Sequence, residues 1–208
     1  MTQLTKSQTE TGSKPDAWLK PDQVDRMRSA TVTNSPDYLS LRNDSLVALM
    51  YDTGLRVSET VALDVDLLDF EEGILRLPSE IQKQYPTEKS PDYVEVELAS
   101  DTLRTLDQFL STRWKDGEPV FPSRQSDRMT TESVRNVVSR AARHAEVRPY
   151  TLRGRGTPSD VTPHTLRHSV AYRMLTVEDG NTLYDVTKRL RHATIQTTEQ
   201  IYSHFDRV

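Results

Sequence analysis

A histidine and an arginine lie three residues apart in the segment PHTLRHS, residues 163–169. The dipeptide Thr162-Pro163 is typical of a helix start, so His164 and Arg167 should share one face of the first turns of a helix. The free backbone N–H groups of a first turn also favour an anion. Together these groups could hold a phosphate, although such a pair in isolation is more often a surface arginine beside a histidine that its neighbours satisfy.

A metal site is the alternative use of the histidines in this segment. His164 and His168 are four residues apart, but no glutamate or cysteine accompanies them in helical register, which disfavours a metal ion. The chain has no cysteine at all, and this excludes disulfides, thiolate metal sites and cysteine nucleophiles. We therefore expect neither a metal ion nor another cofactor.

Two further segments carry groups suited to phosphate chemistry. The segment TGLRVSE, residues 53–59, places Arg56 just after a glycine that is predicted to end a helix. The segment LRHATIQTTEQIYSH, residues 190–204, contains His192 and Tyr202. A tyrosine hydroxyl has a pKa of about 10, so it acts as a nucleophile at neutral pH only when another group takes its proton. Taken singly, Arg56 could instead cap the preceding helix, and Tyr202 could simply pack the last one.

In this order, the segments TGLRVSE, HTLRHS and LRHATIQTTEQIYSH resemble the three boxes of the catalytic domain of the tyrosine recombinase (phage integrase) family. The resemblance extends from about Trp18 to the C-terminus. Each box alone is a weak pattern, whereas three boxes in matching helical contexts form a specific combination. The resemblance implies a site-specific DNA recombinase that integrates or excises a mobile or viral element. Such an enzyme works through a 3′-phosphotyrosyl intermediate and uses neither metal nor ATP.

The resemblance also implies a role for each matching residue. Arg56 and Arg167 would donate paired N–H bonds to the non-bridging phosphate oxygens. His164 would act as general base or acid, and His192 would hold a phosphate oxygen. His192 belongs to the family's Leu-Gly-His segment, which is written Leu-Arg-His here. Tyr202 would be the nucleophile.

The family also uses a lysine on the turn between two strands, which would protonate the leaving 5′-hydroxyl. The family's usual glycine–lysine turn is absent from this sequence. Lys83 in the segment EIQKQYP is our choice, and Lys89 in the segment TEKSP is the competitor.

The sequence departs from the family pattern in three places. His192 and Tyr202 are ten residues apart, one more than in the commonest form, and we expect Glu199 or Gln200 to be absorbed in the turn before the last helix. Residues 1–16 are predicted to be a disordered polar tail and residues 17–208 the catalytic domain, without the N-terminal core-binding domain of full-length members. The chain ends six residues after Tyr202, so a synaptic tetramer on DNA is expected without tail exchange, and the free chain should associate weakly or be monomeric.

The charge of the chain is unevenly distributed. The net charge is −4, yet residues 134–173 contain eight arginines against two acidic residues, while residues 52–107 contain 14 acidic against 5 basic residues. A run of like charge is most often a solvent-exposed helix face. This asymmetry instead favours one surface that binds anions, and we expect double-stranded DNA as the partner. The predicted phosphate contacts are Arg135, Arg140, Arg143, Arg148, Arg153 and Arg155.

Hydrophobic spacing and capping residues predict a mainly α fold with a small antiparallel β-sheet, an α+β domain. Strands are predicted over residues 74–77 and 93–98, and the stretches 66–73 and 149–160 as turn and loop. The predicted helices cover about residues 21–30, 36–53, 101–114, 131–146, 163–177, 182–191 and 197–205. Ser58 is predicted to cap one further short helix, and Ser100 to cap the helix that follows it.

Composition narrows the remaining function classes. No apolar run approaches the roughly 18 residues that span a bilayer, and the N-terminus has no apolar stretch, so a cytoplasmic, nucleoid-associated protein is expected. Arginine exceeds lysine and aspartate exceeds glutamate, which suits a salt-rich cytoplasm such as that of a halophilic archaeon, although GC-rich coding explains the arginines equally well. The alternatives are a non-catalytic DNA-binding regulator, a type IB topoisomerase-like enzyme and, more remotely, a metal-dependent hydrolase.

Overall fold

The structure of the chain, a computed structural model, describes residues 17–82 and 93–205. The described helices are α1 (Pro21–Thr33), α2 (Asp37–Thr53), α3 (Val57–Ala62), α4 (Ser100–Thr112), α5 (Thr131–His144), α6 (Pro163–Thr176), α7 (Leu183–Leu190) and α8 (Ile195–Tyr202). The described strands are β1 (Leu68–Asp69), β2 (Ile74–Pro78), β3 (Tyr93–Glu97), β4 (Tyr150–Thr151) and β5 (Gly154–Arg155). The prediction of a mainly helical fold with a small antiparallel sheet is confirmed. The predicted tail over residues 1–16 lies outside the described residues.

Helix α2 runs through the core, where it packs against α1, α4 and α6. Leu46, Leu49 and Met50 are completely buried on it, as their helical spacing predicts. The helix ends at Gly54, which adopts the left-handed conformation with φ of 63°. A Cβ atom at Gly54 would lie 2.4 Å from Leu190 Cδ2, so this glycine also allows α7 to approach closely.

The larger sheet has the order β1-β2-β3 with antiparallel pairing throughout. Leu75 is paired with Val96, and both side chains are buried beneath the sheet. The predicted strands β2 and β3 are confirmed. The turn predicted over residues 66–73 is wrong in part, because Leu68–Asp69 forms the edge strand β1. A strand of two residues is too short to show the alternation that predicts strands.

Two predicted helix caps are wrong. Helix α3 begins at Val57 with Arg56 as its N-cap, so Ser58 lies inside the helix. The Glu59 carboxylate accepts the Arg56 backbone N–H at 2.8 Å, which satisfies this helix start without a serine hydroxyl. Helix α4 already includes Ser100. The N-cap residue is Ala99, whose backbone N–H donates to the carboxylate of Asp52 at 2.7 Å.

The loop predicted over residues 149–160 contains the hairpin β4–β5. Tyr150 in β4 exchanges two backbone hydrogen bonds with Trp18, of 3.0 and 2.9 Å. The Arg155 guanidinium lies 3.8 Å from the centre of the Tyr150 ring. The start of the described chain is therefore fastened to this hairpin.

Threonines cap the three C-terminal helices. Thr162, Thr182 and Thr194 each accept a backbone N–H from three residues ahead. The cap at Thr194 starts α8 at Ile195, so the predicted last helix over residues 197–205 begins too late and extends too far. Glu199 and Gln200 lie within α8, and the expectation that the turn before this helix absorbs one of them is therefore wrong.

Candidate active site

Arg167 is the most deeply buried of the predicted site residues with a charge, with 3% of its surface exposed. It lies in the second turn of α6 and donates to the carbonyl oxygens of Gly54 and Leu190. These carbonyls end α2 and α7, where helix dipoles place partial negative charge. Burial, with a further contribution from Arg56 and Arg191, lowers the pKa of Arg167 to about 9. The side chain thus remains protonated at neutral pH and fastens two helix ends to α6.

Arg56 lies at the start of α3 beside a completely buried carboxylate, Glu59. Its guanidinium donates to Glu59 Oε1 at 2.8 Å, and Arg191 donates to Glu59 Oε2 at 2.9 Å. Burial alone would raise the pKa of Glu59, but Arg191 and Arg56 outweigh it and hold that pKa below its usual value. With Arg167 nearby, three guanidinium groups face one carboxylate, which leaves a surplus of positive charge.

His192 lies two residues after the last residue of α7, directly after the C-cap Arg191. Its Nδ1 lies 2.8 Å from Thr198 Oγ1. Burial, together with Arg167 and Arg56, lowers the pKa of His192 to about 3, so the ring is neutral at physiological pH. If Nδ1 accepts the Thr198 proton, Nε2 carries the ring proton and can donate to an anion.

Tyr202 is at the C-terminal end of α8 with only 1% of its surface exposed. Its ring stacks on His192, with centroids 5.9 Å apart and planes 9° apart. His168 meets the same ring edge-on at 5.3 Å, and Phe205 stacks at 6.0 Å. The phenol is therefore enclosed by the elements that carry the other predicted site residues.

His164 is exposed at the start of α6. Its ring lies 4.1 Å from the ring of His168, one turn further along the helix. Burial, together with the charges of His164 and Arg167, lowers the pKa of His168 to about 3. His168 is thus a neutral, buried spacer between the exposed His164 and the ring of Tyr202.

A family model described as the phage integrase family matches residues 17–207. The chain belongs to the phage integrase family. It is 30% identical over 193 residues to tyrosine recombinase XerD of Listeria innocua, covering 89% of this chain and 57% of the relative. It is 33% identical over 191 residues to tyrosine recombinase XerD of Lacticaseibacillus casei, covering 90% and 58%. The chain therefore spans a little over half the length of these relatives.

Solved structures of recombinases and integrases share the fold. The crystal structure of XerA recombinase superimposes with a TM-score of 0.69 at 22% identity, covering 92% of this chain and 60% of that chain. The catalytic domain of bacteriophage HP1 integrase gives a TM-score of 0.55 at 20% identity, covering 91% and 88%. These likenesses place the described helices and small sheets in the fold of phage integrase family catalytic domains.

Within this fold, the side chains predicted from the three family boxes converge. Contacts and mutual electrostatic effects connect all of them, since Arg167 lies close enough to Arg56 and Tyr202, and His192 close enough to Arg167 and His164, to shift pKa values. The proposed lysine, Lys83, and its competitor Lys89 lie outside the described residues. The converging side chains are Arg56, His164, Arg167, His192 and Tyr202.

The arginines predicted as phosphate contacts lie on α5 and on the hairpin behind it. Arg140 and Arg143 are exposed on α5 and make no ion pair within the described residues. Arg135 is 3.4 Å from Glu132 in an exposed pair. The other three are exposed at the hairpin, where two brace its backbone: Arg148 donates to Gly156, Arg155 donates to the Arg148 carbonyl, and Arg153 lies at the tip.

The site also includes three residues that were not predicted from the sequence: Glu59, Arg191 and Thr198. Glu59 could have been found from its i,i+3 spacing to Arg56, which suits an ion pair at a helix start. Arg191 occupies the position of a glycine in the family's segment but gives no local indication of its partner. Across the described ranges, no cluster of three or more potential ligands could hold a metal ion. Nor does any helix there have the length and apolarity to cross a bilayer.

Proposed function

We propose that the chain is a tyrosine-type site-specific DNA recombinase, or integrase, that cleaves and rejoins DNA strands through a 3′-phosphotyrosyl link. One observation carries this proposal: two arginines with surplus positive charge, two histidines and Tyr202 converge at one place. The positive surplus suits the transition state of phosphoryl transfer, where charge collects on the non-bridging oxygens. Membership of the phage integrase family supports the same reaction.

In the proposed reaction, the Tyr202 oxygen attacks the phosphorus of a DNA phosphodiester. The bond to the 5′-oxygen breaks as the bond to tyrosine forms, and the phenolic proton passes to His164. Arg56 and Arg167 donate N–H bonds to the two non-bridging oxygens, and the neutral His192 donates from Nε2. The link conserves the energy of the broken ester, so a new 5′-hydroxyl can attack it without ATP.

The departing 5′-oxygen needs a proton. We assign its delivery to Lys83, on the connection between β2 and β3, with Lys89 as the alternative on the same connection. Replacing each lysine by alanine in the cleavage assay described below decides between them, since only the proton donor should slow cleavage without weakening DNA binding.

Tyr202 cannot attack from its observed position. Because the ring is 1% exposed, its oxygen reaches a DNA phosphate only after the end of α8 moves outward from His192 and His168. The arrangement therefore represents a resting state in which the nucleophile is covered.

The proposed partner is double-stranded DNA, bound through phosphates by the exposed arginines of α5 and the hairpin. Structures with this fold include XerH site-specific recombinase bound to palindromic difH substrate, with a TM-score of 0.70, and the Tn1549 transposon integrase in complex with circular intermediate DNA, also 0.70. We further propose that the chain assembles into a synaptic tetramer on DNA and is weakly associated or monomeric when free. Residues 17–208 would form the catalytic domain.

A covalent-trapping experiment on duplexes of randomised sequence tests the function, so no target site has to be chosen beforehand. The protein is incubated with the duplexes, each carrying a nick that lets the cleaved end diffuse away, in the presence of EDTA. Covalent adducts are separated on a denaturing gel and their DNA is sequenced. We expect an adduct with an enriched sequence, lost in Tyr202→Phe and retained in Tyr184→Phe, whose ring is 55% exposed.

The other outcomes identify the alternatives. An adduct without sequence enrichment, together with relaxation of supercoiled DNA, would indicate a topoisomerase-like enzyme. Binding without any adduct would indicate a DNA-binding regulator and overturn the proposed reaction.

A further inference from the structure

Arg191 adopts an unusual backbone conformation. It ends α7 with φ of 53° and ψ of 51°, the left-handed region in which side chains are rarely found and glycine is preferred. The family's segment has glycine at this position. A large side chain that persists there despite the backbone strain calls for a compensating contact.

That contact is made with Glu59, 132 residues away in the chain. The Arg191 side chain is 6% exposed, with one terminal nitrogen 2.9 Å from Glu59 Oε2 and the other 2.9 Å from the Arg189 carbonyl. Both terminal nitrogens are thus engaged with the protein. Arg191 acts on the site through Glu59 rather than by binding a phosphate itself.

Glu59 also holds Arg56, through the guanidinium and the backbone N–H at 2.8 Å each. If Arg191 were absent, the charge of Arg56 would be balanced by this buried carboxylate, and Arg167 alone would supply the net positive charge that attracts a phosphate. With Arg191 as a second partner, the three groups together carry one positive charge. Arg191 thereby frees the charge of Arg56 for an anion.

The same ion pair connects two elements of the site. Arg191 immediately precedes His192, and Arg56 lies at the start of the helix that carries Glu59. A second, longer contact joins the Arg56 guanidinium to the Arg191 carbonyl at 3.5 Å. Both the side chain and the carbonyl of Arg191 therefore hold the turn that bears His192 against the start of α3.

We propose that Arg191 is a positioning residue that balances the negative charge of the buried Glu59. The positive charge of Arg56 then remains available to a DNA phosphate, and His192 is held beside Arg56. This inference rests on the proposed function.

The decisive variant is Arg191→Gly, because glycine relieves the backbone strain and removes only the side chain. Cleavage of the enriched duplex is measured in single turnover at saturating DNA, and the dissociation constant separately. We expect the cleavage rate to fall at least tenfold, the dissociation constant to change less than threefold, and the thermal midpoint to stay within a few degrees of wild type. Lys188→Ala, which removes an exposed cation on the same helix, should leave the cleavage rate unchanged.

A second substitution separates charge balance from loss of packing. Gln at position 59 keeps an oxygen that can accept from Arg56 but removes the negative charge, so Glu59→Gln added to Arg191→Gly should restore at least half of the lost rate. No restoration, or a wild-type rate in Arg191→Gly, would overturn the proposal.

Amide hydrogen exchange of the free protein tests the coupling without DNA. In Arg191→Gly, exchange should quicken at residues 56–60 and 190–194 together, and unchanged exchange at either segment would overturn the proposal. If wild type forms no adduct, the proposed function fails, and this measurement still decides whether Arg191 joins the two segments.

Discussion

The histidines around Tyr202 differ in their surroundings, and this difference determines what each can do. His168 is buried beside Arg167 and other histidines, and His192 is partly buried beside three arginines. Both have pKa values near 3, so neither gains a proton at neutral pH. His164 lies at the surface of the same cluster, where a substrate can reach it. The positive charge of the site therefore comes from guanidinium groups, whose protonation does not change in the physiological range.

The depressed pKa of His168 predicts acid instability. Between pH 6.5 and about 3, this ring is protonated in the unfolded chain but neutral in the folded chain. The free energy of unfolding should therefore fall as the pH decreases through this range. The slope from one such imidazole is about 1.4 kcal/mol per pH unit. In urea unfolding at pH 7, 6 and 5, the free energy of unfolding should fall less steeply with decreasing pH in His168→Leu than in wild type, by about that slope. The exposed His144→Gln serves as the control, and a parallel decline in His168→Leu and wild type would contradict the prediction.

At the scale of elements, the site depends on how closely α7 approaches the end of α2. Gly54 has a positive φ and leaves no room for a Cβ, which would lie 2.4 Å from Leu190 Cδ2. The carbonyls of these two residues accept the bonds of Arg167. Any widening of this contact therefore displaces a guanidinium group as well as two helices.

Gly54→Ala should consequently lower the free energy of unfolding by more than the backbone strain alone, because the new Cβ also meets Leu190. Gly180 provides a matched control, because it too has a positive φ but no atom lies within 4 Å of the position that a Cβ would occupy. We expect Gly180→Ala to lower the free energy of unfolding by about 1 kcal/mol, and Gly54→Ala by about 3 kcal/mol with slower DNA cleavage. Urea denaturation measures both. Equal costs would mean that the approach of α7 is not limited by Gly54.

The elements that could be predicted from the sequence are those with local determinants. Helices α6 and α7 begin where Thr162 and Thr182 supply caps, and these caps act within three residues of the chain. The hairpin strands could not be predicted, because two residues are too few to show the alternation that predicts strands. The bridge from Tyr150 to Trp18, more than 130 residues away, also leaves no local signal. The ion pair between Glu59 and Arg191 is equally non-local.

The identity of the converging side chains was more predictable than their environment. The family boxes indicate Arg56, Arg167 and Tyr202 from the sequence, whereas the burial of Tyr202 depends on how the end of α8 packs against α6. Burial and pKa values are properties of the folded chain, so spacing along the sequence cannot supply them.

At the scale of the whole molecule, the proposed function requires an acidic chain of net charge −4 to bind a polyanion. The arginine-rich stretch, residues 134–173, allows such binding only if guanidinium groups without an acidic partner lie together on the surface. Arg140 and Arg143 meet that condition on α5, where they are exposed and have no acidic partner among the described residues. By contrast, Arg104 on α4 is paired with Asp101, within the acidic part of the chain.

Salt dependence distinguishes these two kinds of arginine. Each phosphate contact contributes about 0.9 to the slope of log binding constant against log salt concentration. If Arg140 and Arg143 each contact one phosphate, their joint replacement by glutamine should reduce that slope by about 2, whereas Arg104→Gln should leave it unchanged. Fluorescence anisotropy with a labelled mixed-sequence duplex from about 50 to 300 mM salt measures the slopes. An unchanged slope in the double variant would exclude these arginines from the phosphate contacts, and an equal loss with Arg104→Gln would mean that DNA responds to overall charge rather than to one surface.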